Sequence, residues 1–360
     1  MTTLRRLASL CLFGLIAGCA APDIGAGAAD FDAAAGATRA ELVDPAQVIA
    51  QARWTAPEAD LVAELTTAPS ECVRAAADPE THSSQEIGGA AFRSPTLLGG
   101  QAARAGLSCA SCHRNGRGNE AFFFFGVSGA PGTADVTNSF FSSHRGDGED
   151  NPIPIPDLAG PPERLKVDRS PASDELETFI RGLIVEEFDG PEPPPAVLDG
   201  LAAYVRALDP GACPAEPREP VGVASHIADA DRAATAARAA LQAGDEPTAL
   251  VMLGAARTAL GRIHERFSTG GLDAERAGVR AVDAALGEAQ AIIRDGPGDA
   301  TMRLIVWRVS MNALGEDLIA AEPRSLYAPD QLARAAAAAD LRRSAEPGSA
   351  DEDASAAGPG

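Results

Sequence analysis

The chain has 360 residues, six cysteines and a formal net charge of −21, a length that fits two domains or one domain with an accessory region. With 45% hydrophobic residues it can bury a core. Its acidic balance excludes a nucleic-acid partner, because phosphate backbones call for clustered cations.

The first predicted element is an export signal. Arg5 and Arg6 precede the mostly apolar run Leu7–Ala17, which is well short of the roughly 20 residues of a membrane-spanning helix. The run ends in Ile16-Ala17-Gly18-Cys19. This resembles a bacterial lipobox and predicts a lipoprotein signal peptide over residues 1–19, with a lipid anchor on Cys19. A plain secretory signal cut near Ala20 is the other reading. Either cleavage places the protein on the periplasmic side of the cell envelope. Ala20 after the cysteine resembles an outer-membrane address. Residues 20–43, rich in Ala, Gly and Asp, predict a flexible tether.

Asp44-Pro45 and Thr55-Ala56-Pro57-Glu58 predict two short helices, each with proline in its first turn. Cys72 follows. Once Cys11 leaves with the signal, Cys19 carries lipid and two cysteines serve the motif below, Cys72 and Cys213 remain. In an oxidising compartment an even remainder suggests one disulfide closing a long loop; two free thiols are the alternative.

Cys109-Ala110-Ser111-Cys112-His113 is the strongest signal. C-x-x-C-H is the attachment pattern of c-type haem, one covalently bound haem (heme) c per motif. Two thiols at this spacing add to the two vinyl groups of one porphyrin edge, and the next residue offers its imidazole to the iron. His113 is therefore the expected proximal ligand. A thioredoxin-like redox pair would need a βαβ context, and a zinc site would need a second close Cys or His pair. The sequence offers neither. Ten aromatic residues lie between Phe92 and Tyr204, Phe122–Phe125 among them, as a porphyrin wrapped in apolar surface requires.

The stretch Gly88–Asn119, with Ala91-Phe92-Arg93-Ser94-Pro95 leading into Leu107-Ser108 and the motif, resembles the start of a haem domain of bacterial di-haem cytochrome c peroxidases. Thr133–Asn138 followed by Phe141–Gly148 is similar to that family's "TPTLRN … FHDG" stretch. Ala196–Leu208 resembles the last helix of a cytochrome c fold. The resemblance covers about residues 85 to 210. It implies an all-α cytochrome c-like haem domain, here assigned to 44–213. Those peroxidases carry two haem domains and this chain one.

The sixth ligand is reached by elimination. The mature chain's methionines, Met252, Met302 and Met311, all lie outside the haem domain. Within it, His144 falls in the stretch matching the family's ligand-bearing segment and is the preferred distal ligand. A five-coordinate iron and ligation by His82 or a C-terminal methionine are the alternatives. Arg117 is a candidate donor to the haem propionates, against a solvated turn. Residues 146–163 hold five prolines and predict an irregular loop over the haem; residues 174–184 predict a helix.

Four prolines between Asp209 and Val221 mark a boundary. Four apolar stripes at spacings of three and four follow: Ile227–Leu241, Leu253–Phe267, Val279–Ile293 and Leu304–Leu318. Breaks fall at Gly244-Asp245, Gly270-Gly271 and Gly296-Pro297-Gly298. This predicts an antiparallel four-helix bundle over 222–321. His226 and His264 sit beside the stripes and read as structural histidines. Residues 344–360 predict a disordered acidic tail.

The expected function is electron transfer at the cell envelope by an exported monohaem c-type cytochrome, its acidic surface suited to a basic redox partner protein. A peroxidase-like enzyme reducing hydrogen peroxide at an open distal site is the alternative. A third possibility is a binding module with a structural haem.

Overall fold

The computed structural model describes residues 43–161, 165–296 and 298–345. The predicted signal peptide, Cys19, nearly all of the tether and residues 346–360 lie outside them. The described residues are predominantly helical, with two short antiparallel strand pairs among them. No helix among the described residues is long and apolar enough to cross a membrane.

Asp44 accepts a hydrogen bond from the Ala46 amide and opens α1 (Pro45–Val48), which continues into a 3-10 turn over Ala50–Trp54. The second helix, α2 (Leu61–Thr66), starts later than the Pro57 signal implies. Asp60 Oδ1 accepts from the Ala63 amide at 3.0 Å, so a capping carboxylate sets its start. Strand β1 (Thr67–Pro69) follows directly.

Asp78 caps α3 (Pro79–Phe92) through the Thr81 amide at 2.8 Å. His82 lies exposed on this helix. Next come α4 (Gly100–Ala105), α5 (Cys109–Cys112), β2 (Thr133–Ala134), β3 (Ile153–Pro154), α6 (Glu175–Gly182) and α7 (Pro195–Ala207). Past Gly182, α6 loosens into a π turn over Leu183–Glu187. Strand β3 pairs with β2, and β4 (Arg218–Pro220) pairs with β1.

Helices α3 and α7 cross at two glycines. A Cβ placed on Gly88 would lie 1.9 Å from the Gly200 carbonyl oxygen. Only a hydrogen at that position lets the backbones meet, and the contact buries Ala91, Phe92, Val197, Leu201 and Tyr204. The disulfide Cys72–Cys213 is formed and closes a loop of 141 residues around this pair.

Four long helices follow: α8 (Val223–Gln242), α9 (Glu246–Arg266), α10 (Asp273–Asp295) and α11 (Ala300–Ala321). Each packs on the next, and α11 packs back on α8. The stripes read from the sequence face inward: Leu253, Leu260, Ile263, Phe267, Leu286, Trp307 and Met311 are all buried. Each large apolar side chain so buried contributes about 1.5–3 kcal/mol as an upper estimate. Asp245 and Asp299 cap α9 and α11, and Glu322 Oε2 takes the Val223 amide at the start of α8 at 2.6 Å.

One helix has no counterpart in the sequence reading. Helix α12 (Pro329–Ala345) runs into the segment expected to be a disordered tail, so Ser344 and Ala345 are helical. It packs on α1 and α2 through Leu332 and Ala335 against Ile49 and Leu65, and Arg343 pairs with Asp44 at 2.7 Å. The core is continuous. One apolar cluster joins Trp54, Phe92 and Tyr204 to Leu260, Trp307 and Tyr327, and α3 rests on both α8 and α9.

Candidate functional site

The motif Cys109-Ala110-Ser111-Cys112-His113 occupies one helical turn and its exit. The His113 amide donates to the Cys109 carbonyl at 2.8 Å, so the turn closes around both cysteines. Ser111 holds the turn at both ends: its Oγ accepts from the Ser108 amide at 3.0 Å, and its carbonyl accepts from Asn119 Nδ2 at 2.8 Å. Beyond His113 the chain reverses through Asn115 at φ 50°, a conformation that asparagine tolerates better than most residues. The Asn115 side chain fixes the reversal through the Pro69 carbonyl at 2.9 Å.

Cys109 and Cys112 are both unpaired thiols. Burial pushes their pKa values up to about 11 and about 12, so both are neutral S–H groups near pH 7. Burial pushes His113 down to about 4, and its ring is neutral as well.

The orientation of that ring is set by the backbone. His113 Nδ1 lies 3.0 Å from the carbonyl oxygen of Pro156. A carbonyl can only accept, so Nδ1 carries the hydrogen and Nε2 carries the free lone pair. The acceptor is itself braced. Ile155 donates to the Gly132 carbonyl at 2.9 Å and Leu158 to the Gly116 carbonyl at 3.0 Å. Asp157 accepts from the Ala159 amide at 2.9 Å and receives Arg117. Phe92 stands beside the imidazole with ring centroids 6.5 Å apart, and Tyr204 packs on Phe92 at 5.1 Å.

Arg117 grips Asp157 with Nε at 2.9 Å and Nη2 at 2.8 Å. Its Nη1 reaches the sulfurs of Cys72 at 3.2 Å and Cys213 at 3.7 Å. The structure therefore places Arg117 as a brace between the loop beneath His113 and the disulfide. His144 sits in a separate loop, with its side chain 67% exposed. Its Nδ1 contacts Asp189 Oδ1 at 3.0 Å and Ser143 Oγ at 3.2 Å. Asp189 adopts φ 52° and also takes the Ser143 amide and hydroxyl. The aromatic enrichment divides. Phe124, Phe140, Phe141 and Phe188 form one cluster with centroid spacings of 5.3–5.9 Å, whereas Phe125 is 88% exposed.

The residues present fit a covalently attached haem. Two half-buried neutral thiols lie on one turn, and an imidazole follows with Nε2 left as its only ligating atom. Pro156, Asp157 and Asp189 escaped the sequence reading; the first contributes a backbone oxygen, which no residue type signals. The other two histidines of the helical region are satisfied in place. His226 Nδ1 meets Tyr327 Oη at 2.7 Å, and Arg280 Nη1 meets His264 Nε2 at 3.2 Å. Among the described residues no group of three or more His, Cys, Asp or Glu could hold a metal ion on side chains alone. No known family model, curated protein or solved structure matches the chain.

Proposed function

We propose that the chain is an exported, lipid-anchored monohaem c-type cytochrome that transfers electrons at the periplasmic face of the cell envelope. The observation that carries this reading is the His113 Nδ1–Pro156 carbonyl contact at 3.0 Å beside two unpaired, half-buried thiols. It leaves Nε2 as an oriented donor, the tautomer control that metal-ligating histidines need. The C-x-x-C-H spacing supports the same assignment.

Cys109 and Cys112 would carry the two thioether links. Each thiol would be joined to a vinyl group of the haem by addition of its S–H, sulfur to one carbon and hydrogen to the other, with nothing left over. Haem c supplies a one-electron couple at its iron. The chain's own residues hold the imidazole neutral and aimed, and Phe92 and Tyr204 exclude water on one side. The net charge of −21 supports a basic redox partner. In fold terms, 44–213 reads as a cytochrome c-like haem domain built on the α3–α7 crossing. Residues 222–321 read as an antiparallel four-helix bundle, supported by the closed ring of contacts from α8 to α11.

His144 separates this reading from its rival. Its Nδ1 is engaged by Asp189, which leaves Nε2 for a metal, as a distal ligand requires. Its 67% exposure favours the second reading, a peroxidase-like enzyme with an open distal site that reduces hydrogen peroxide. Low-temperature EPR of the ferric protein decides. A low-spin signal that His144→Ala abolishes supports a six-coordinate electron carrier. A dominant high-spin signal removes His144 as ligand and makes peroxide turnover the next assay.

A further inference from the structure

Behind the motif turn, on the side of Ala110 and Ser111 rather than the thiols, lies a cavity of about 570 Å³. It is walled by the Ala50–Trp54 turn, the back of α5, and helices α8 and α9. Its size falls within the range of small-molecule sites. Arginines from several elements face it.

Three of these arginines have carboxylate partners. Arg93 pairs with Glu71 at 2.6 Å, Arg114 with Glu64 at 2.5 Å and Arg232 with Glu86 at 3.4 Å. Arg262 and Arg266 differ. They are four residues apart on α9, so they share one face. Among the described residues neither has a carboxylate within ion-pair reach. Arg262 donates from Nη2 to the Arg93 carbonyl at 3.0 Å. Arg266, only 2% exposed, donates from Nη1 to the Leu326 carbonyl at 3.3 Å and lies over the Tyr327 ring at 5.0 Å. Each guanidinium has five N–H donors and a permanent charge.

The carboxylates lining the cavity each have another partner, and Asp229 and Glu265 act on Arg262, and Glu265 on Arg266, only through space. Glu71 holds Arg93 and the Tyr204 hydroxyl, and Glu219 accepts from Asn115. Asp229 pairs with Arg232. Glu265 takes the Ala50 amide at 3.2 Å, and burial raises its pKa. Burial also pulls Arg262 and Arg266 below the usual guanidinium value, outweighing the attraction of Asp229 and Glu265. A buried charge is retained only when something compensates it.

We infer that this cavity binds a small oxyanion, a carboxylate or a phosphate, on the paired guanidinium groups of Arg262 and Arg266. The planar donor fork of arginine matches both anions. The site is separate from the thiols and imidazole of the motif and stands whether or not haem is attached there.

The test is calorimetric titration of the full-length, matured protein with inorganic phosphate and, separately, with succinate. The expected result is saturable one-to-one binding of at least one probe. Phosphate alone identifies a phosphate site, and succinate alone a carboxylate site. Arg262→Gln and Arg266→Gln should each weaken binding at least about tenfold, the loss of one charge-assisted contact. Arg257→Gln, on the same helix but paired with Asp283, should leave binding unchanged. Glu265→Gln should tighten it by removing a competing carboxyl, which keeps the proposal testable if an arginine variant fails to fold. Absence of saturable binding for both probes overturns the inference. So does binding that survives both arginine substitutions, or that Glu265→Gln weakens.

Discussion

Replacing Gly88 by alanine tests the contact on which the motif's setting depends. On helix propensity alone the change is favourable by about 1 kcal/mol, because alanine is the best helix former and glycine among the worst. The structure reverses that sign. The added Cβ would meet the Gly200 carbonyl oxygen at 1.9 Å, 1.5 Å short of the 3.4 Å of ordinary contact. The obstacle is backbone, so no side chain can rotate aside, and α3 and α7 must separate. Separation loosens Ala91, Leu201 and Tyr204, all buried at the crossing. Overpacking of this kind costs about 3 kcal/mol, which leaves a net loss of about 2 kcal/mol. Because α3 also carries Phe92 against the His113 ring, the visible spectrum of the matured protein should shift as well. Urea unfolding followed by far-UV circular dichroism measures the loss. Gly261→Ala on α9, where a Cβ meets nothing within 4 Å, is the matched control and should stabilise by about 0.5–1 kcal/mol. A Gly88→Ala protein as stable as the parent would refute the reasoning.

Three further outcomes are expected. Replacing Cys72 and Cys213 together by alanine frees a loop of 141 residues and should cost up to about 5 kcal/mol by loop-closure entropy, read as a lower urea midpoint. Burial, with Arg262 nearby, pushes His226 down to about 3 from its ordinary value near 6.5. The unfolded chain therefore binds a proton that the folded one refuses, and stability falls as pH drops from 6.5 towards 3. His226→Gln should flatten the stability–pH slope in that window; an unchanged slope would contradict the burial of a neutral imidazole. Arg117→Met should release Asp157 beside Pro156 and shift the reduction potential of the matured protein. A potential identical to the parent's would show that Arg117 does not brace the carbonyl behind His113.

What the sequence made legible follows from which interactions leave a residue-type signal. Helices α9 to α11 were readable because Leu, Ile, Val and Trp recur on one face, and α8, whose buried face is mostly alanine, because Ile227 and Leu241 bracket its stripe; glycines punctuate the ends. Helix α12 was not, because its buried positions after Leu332 are Ala335 and Ala339. In a chain this rich in alanine, such a stripe looks like background. The pairing of Cys72 with Cys213 was open to elimination, since every other cysteine had a use. The α3–α7 crossing was hidden for the opposite reason: a helical glycine reads as a weakness, and only its partner across the contact reveals its purpose. At the site, the thiols and His113 were plain from spacing. The Pro156 carbonyl, which fixes the imidazole tautomer, belongs to a loop 43 residues away and carries no side-chain signature. Arg117 was singled out as a cation near the motif, and its grip on Asp157 appears only once the loop is folded beneath it.

The most direct test of the central proposal is the intact mass and alkaline pyridine spectrum of the protein, matured in a host that attaches c-type haem. A mass gain of one haem that survives denaturation is expected, with a pyridine adduct spectrum typical of two thioether links. Replacing both Cys109 and Cys112 with serine should abolish the covalent attachment. A full-length protein that matures with both thiols free and no added mass would contradict it.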